Sequence, residues 1–133
     1  MKTRYAVALA MAAGAALGAA SVSGLYAQGK APGAYAIISF SEISDRNAFK
    51  GEVVDKAPAV VKDAGGHLIV RTEKFTPLRA GDPPFPLRRY VIIAFDSVPQ
   101  AQAWYNSQAM KGINESVERL TKGRAFVVEA APE

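Results

Sequence analysis

The chain of 133 residues contains no cysteine. That absence excludes disulfides, thiolate metal ligands, iron-sulfur clusters, thiol nucleophiles and lipid attachment at a cysteine, and leaves packing or oligomerisation to stabilise the fold. Histidine is nearly absent as well. His67 is the single copy, so a histidine metal site or a Ser-His-Asp triad would have to rest on it alone. No glycine-rich phosphate loop is present, because Gly65-Gly66 leads into a strand-like segment rather than a helix start. The carboxylates Glu42, Asp45, Asp55, Asp63 and Asp82 are spread over caps, a helix surface and a loop, and read as solvated charge rather than a metal cage. Neither a metal nor a cofactor is expected.

What the first 27 residues do contain is two positive charges, Lys2 and Arg4, followed by an uncharged run from Tyr5 to Ala27. This is the layout of a secretory signal peptide cleaved after Ala27, which predicts a periplasmic or secreted protein. A retained anchor is the rival reading, since 23 uncharged residues are long enough to cross a bilayer, although alanine and glycine make the run weakly hydrophobic. Membrane contact is expected only through this segment, if it is uncleaved. The formal net charge of +4 falls to +2 once the two basic residues of the leader are set aside. The densest basic group beyond it is Arg88-Arg89 with Arg79 nearby, too little for a phosphate-binding face, so a nucleic-acid partner is not expected.

Residues 28–33 are a breaker-rich linker, and a domain over 34–131 follows. Apolar and polar residues alternate over 34–42 as in a strand. Asp45 caps a helix whose apolar stripe runs Phe49, Val53, Ala57, Val60, Val61 and Ala64, with Pro58 expected to kink it. Gly65-Gly66 supplies the stop. A second strand is predicted over 67–75, with Leu68 and Val70 on one face and His67, Ile69, Arg71 and Glu73 on the other. The proline-rich stretch 76–87 is a loop, and 88–96, apolar on both faces, is a central strand. Ser97 and Gln100 form a capping-box pattern for a second helix that breaks near Asn106-Ser107 and resumes until Gly123. The last strand is 124–130.

This order, strand-helix-strand twice over, predicts an α+β ferredoxin-like fold of the βαββαβ type: a four-stranded antiparallel sheet with its helices on one face. The other face, with Tyr35, Ile37 and Ile69 among its apolar residues, would be sticky on a monomer. A second copy laid sheet to sheet, an isologous homodimer, covers it.

The only tryptophan lies in YVIIAFDSVPQAQAWYNS, residues 90–107. Large aromatics on a helix usually fill a core, which assigns Trp104 to packing. Tyr105, at the same end as Asn106 and Ser107, is placed to send its hydroxyl out of that patch. This stretch, with AYAIISF at 34–40, AGGHLIVR at 64–71 and RAFVVEA at 124–130, resembles the domain-of-unknown-function 1330 family, and the likeness spans nearly all of the domain. It implies the dimeric α/β-barrel version of the ferredoxin-like fold and no established activity. The chain departs from the family pattern at Thr72-Glu73, where glycines are frequent, at Met110, where a tyrosine is usual, and at His67, where arginine or lysine is common.

Two functional readings are open. In the first, Arg71, with His67, Ser39 and Tyr105, orients a small anionic or aromatic molecule in an exported, homodimeric, non-catalytic protein. The second is a cofactor-free enzyme, monooxygenase-like or isomerase-like, with His67 or Tyr105 as proton carrier. Against both stands the plainer reading of His67 as an exposed strand residue and of Arg71-Glu73 as an ordinary ion pair.

Overall fold

The computed structural model describes residues 31–79 and 87–132. The expected leader, the first half of its linker and most of the proline-rich loop lie outside the described residues. Among those described, no helix is long and apolar enough to cross a membrane.

Four strands form one antiparallel sheet: β1 (Ala34–Ile43), β2 (His67–Thr72), β3 (Arg89–Phe95) and β4 (Thr121–Glu129), in the order β2-β3-β1-β4. The two strand-helix-strand units interleave as the pattern predicts, with β3 central. Alternate residues of β1 and β3, namely Ala36, Phe40, Ile93 and Phe95, face the helices and join Phe49, Val53, Val61, Ala101, Trp104 and Met110 in a single core.

The first helical stretch is not the single kinked helix the stripe suggests. Asp45 caps α1 (Arg46–Phe49), accepting from the Ala48 amide at 3.0 Å. The chain then widens into a π-turn over Lys50–Val54 and restarts as α2 (Ala57–Asp63), with Pro58 in its first turn. Proline has no N–H to donate, and the start of a helix is the one place where that costs little. A Lys50–Asp55 ion pair at 3.2 Å spans five residues, matching the π spacing. Gly65 then ends α2 in the left-handed region at φ 83°.

Ser97 caps α3 (Val98–Tyr105), accepting from the Gln100 amide at 3.2 Å. The Gln100 side chain accepts from the Asp96 amide at 2.7 Å and donates to the Ala64 carbonyl at 3.2 Å, which ties the end of α2 to the start of α3. Ser107 caps α4 (Gln108–Leu120), so the break falls where the sequence places it. The role of Gly123 differs from expectation. The helix ends at Leu120, and Gly123 lies inside β4, where a Cβ would come within 1.9 Å of the Ser39 carbonyl oxygen. Close approach of β1, rather than helix termination, requires glycine there.

The second sheet face carries Tyr35, Ile37, Tyr90, Ile92, Phe126 and Val128 side by side across β3, β1 and β4. Phe126 is 49% and Val128 37% exposed, and no helix among the described residues covers them.

Candidate functional site

A cavity of about 100 Å³ lies between the sheet and the helices. Its floor includes Ile38, Val91 and Ala125 of adjacent strands, and its roof includes Val53 from the π-turn, Trp104 and Tyr105 from α3, and Ile113 from α4. The lining residues are apolar except for Arg71, Arg89, Asn114 and the amphipathic Trp104 and Tyr105.

Arg71 reaches this cavity because of an irregularity in β2. Leu68 is paired with Ile93, but Val70 is paired with Ile92, so Ile69 is an extra residue, a β-bulge. The bulge resets the alternation. Arg71 pairs with Val91 and shares its helix-facing side, whereas His67 pairs with Ala94 on the bare side. The expected convergence of His67, Arg71 and Glu73 on one strand face is therefore corrected: His67 and Arg71 stand on opposite faces. Ser39, 8% exposed, also belongs to the bare side, paired with Tyr90 and Arg124. Of the four residues expected at the site, Arg71 and Tyr105 line the cavity, while Ser39 and His67 do not.

Arg89 takes the place beside Arg71 that His67 was expected to fill. It pairs with Phe40, so it continues the core-facing series Phe95, Ile93, Val91. Its guanidinium carbon sits 5.6 Å from the centroid of the Phe49 ring, a cation-π geometry. Burial holds this group below the ordinary arginine value. Glu73 opposes that shift, and the neighbouring Arg71 and Arg46 add to it. Glu73 itself accepts from Arg46 Nη1 at 2.8 Å. Glu73 thus faces two guanidiniums, Arg46 and Arg89, while Arg71 adds a third positive charge near Arg89, and the excess of positive charge sits against an apolar cavity. An arginine at core parity in β3 was the available signal. In the sequence Arg89 reads instead as one half of the Arg88-Arg89 basic pair, weighed there only as surface charge.

Trp104, 3% exposed, stacks at a tilt on Phe95 with ring centroids 5.3 Å apart and meets Tyr105 edge-on at 5.8 Å. Its indole N–H is buried and finds no acceptor among the described residues. Packing is its role, and the same ring closes one side of the cavity. Among the described residues, no three histidine, aspartate or glutamate side chains converge as a metal site would require.

A four-stranded antiparallel sheet in this order, helices on one face and a cavity between the layers, defines the ferredoxin-like α+β class found in dimeric α/β-barrel proteins. The chain belongs to the family described as Domain of unknown function (DUF1330), whose model matches residues 33–131. Similar solved structures include a protein of unknown function from Rhodopseudomonas palustris, at 10% identity and a TM-score of 0.51, covering 84% of this chain and 93% of the other. Another is SnoaB, a cofactor-independent oxygenase from Streptomyces nogalater, also at 10% identity and a TM-score of 0.51, covering 77% of this chain and 97% of that one. At such identities the likeness is one of fold. No curated protein matches the chain.

Proposed function

We propose that the chain is an exported homodimeric protein that binds a small organic anion, with an apolar or aromatic body, in the cavity between sheet and helices. One observation carries this reading: Arg71 and Arg89, which form no salt bridge to a carboxylate among the described residues, line a cavity whose other walls are almost wholly apolar. Arg89 is partly buried, and holding its guanidinium away from water costs free energy unless an anion pairs with it, while Arg71 adds its charge from the exposed rim. A carboxylate on an apolar tail meets both halves of the site, and Arg presents a planar fork suited to it. Export rests on the layout of the first 27 residues, and the homodimer on the bare apolar sheet face.

The binding reading is tested by isothermal titration of the purified chain with benzoate and octanoate, with the uncharged benzamide and octanamide as controls. Saturable binding of the acids but not the amides is expected; equal binding of both, or of neither, would remove the arginines from the role. For the dimer, light scattering on the mature chain is expected to give twice the subunit mass, and Phe126→Arg to give one subunit mass. A wild-type chain that runs as a monomer at micromolar concentration would overturn the pairing.

A cofactor-free oxygenase or isomerase reading is supported by the fold shared with SnoaB and by Tyr105, a phenol-bearing residue that lines the cavity. The position of His67 on the far face weighs against it as the proton carrier. His67→Ala is expected to leave carboxylate affinity within about twofold, as exposed substitutions usually do. Oxygen uptake with an electron-rich phenol that disappears in His67→Ala would instead favour the enzyme.

A further inference from the structure

The cavity that Arg71 and Arg89 face is one of three depressions that meet at a single side chain. A second cavity, about 110 Å³, lies on the β4 side and is lined by Ala36, Gln102, Phe126 and Val127, among others. Four residues line both: Ile38 and Ala125 on the floor, Trp104 and Tyr105 on the roof. Ile38 and Ala125 are paired across β1 and β4, so they form fixed sheet floor. Trp104 is held by the core. Tyr105 differs from the other three in exposure, being 39% exposed at the last turn of α3.

Tyr105 also borders a third, open groove with Asn106, Ser107, Lys111, Asn114 and Glu118. That groove offers polar partners to a phenol hydroxyl and space for the ring. The backbone beneath the side chain is tied down meanwhile. Asn114 Nδ2 donates to the Tyr105 carbonyl at 2.9 Å, and the Asn106 amide donates to the Gln102 carbonyl at 3.0 Å. Rotation about the side-chain bonds can therefore move the ring from the cavity wall into the groove without unwinding the helix, a motion of the kind exposed side chains make in picoseconds to nanoseconds.

We infer that Tyr105 sets the length of the ligand: with its ring in the wall the site accepts a short-chain anion, and with its ring in the groove the two cavities join and a longer chain is admitted. This rests on the anion-binding reading above. Size supports it. The cavities, about 100 and 110 Å³, are each smaller than the roughly 150 Å³ that takes up a benzene ring, so each alone holds a short apolar body and a longer chain needs both.

Titration calorimetry with straight-chain carboxylates from butanoate to dodecanoate, on wild type, Tyr105→Ala and Tyr105→Phe, tests the inference. Every methylene that is buried should raise affinity by about fourfold. In wild type the gain is expected to shrink once the chain reaches Tyr105, because moving the ring opposes further entry. In Tyr105→Ala it should continue, so that the ratio of dodecanoate to butanoate affinity is at least about tenfold larger than in wild type. Tyr105→Phe keeps the ring and should keep the wild-type profile. Identical profiles in wild type and Tyr105→Ala, with binding intact, would overturn the gating role and leave the binding reading standing. No binding of any acid to any variant would overturn the binding reading and this inference with it.

Discussion

Trp104→Ala is expected to lower stability by about 3–5 kcal/mol, a fall of roughly 15–30 °C in melting temperature for a domain of this size. The reason is local. Helix α3 buries only Ala101 and Trp104, so one large side chain carries nearly all of its contact with the sheet. Removing it takes the partner from Phe95, which is almost wholly buried, and joins the vacated volume to two existing cavities. Such a site cannot collapse easily, because the floor is hydrogen-bonded sheet. Trp104→Phe should cost much less than the alanine change. Phenylalanine keeps most of the ring contact and deletes a buried N–H that has no acceptor among the described residues, and an unmade bond of this kind costs about 1–3 kcal/mol. Thermal melts of both variants check this. An unchanged melting temperature in Trp104→Ala would end the anchoring role, and equal losses in the two variants would mean that the N–H has a partner.

Replacing Arg71 and Arg89 together by methionine is expected to weaken octanoate binding by at least about 100-fold, since each charge-assisted hydrogen bond contributes about 1.5–3 kcal/mol. The accompanying stability change separates a binding role from a structural one. Folding disfavours the charged form of Arg89, chiefly by burial, so its charge is a net cost to the empty protein wherever arginine is protonated. A cation with a lowered value regains that stability only as pH rises through the value itself, far above any working pH, so substitution rather than titration is the probe. Arg89→Met should leave the melting temperature unchanged or raise it by roughly 2–5 °C, as replacing a poorly paired buried charge often does. A fall of more than about 5 °C would show that the cation-π contact with Phe49 outweighs the burial cost. The guanidinium would then be part of the core rather than of a site.

Much of this was legible in the chain because the signals are local. Asp45, Ser97 and Ser107 mark helix starts through bonds to amides three residues on, and such bonds need no tertiary context. The apolar run through 90–95 marks a strand buried on both sides, and the order of elements leaves few topologies. The errors arose where one residue changes the count. Ile69 sits amid Leu68-Ile69-Val70, three apolar residues that offer no alternation, so the bulge leaves no trace and everything after it is assigned to the wrong face. Gly123 illustrates the same limit in another form. Its position after a helical stretch suggests a stop, while its cause is a carbonyl oxygen of β1 more than eighty residues earlier.

By itself the sequence determined the fold class, the helix caps, the central strand and the packing role of Trp104. Each follows from periodicity or from hydrogen bonds between near neighbours. The pairing of β2 with β3 decided that Arg71 leaves His67 and joins Arg89, and the layering of α3 over β1 and β4 decided that Tyr105 stands between two cavities. Those outcomes depend on which strands lie side by side and in what register, and a one-residue shift in register moves a side chain from one face of the sheet to the other.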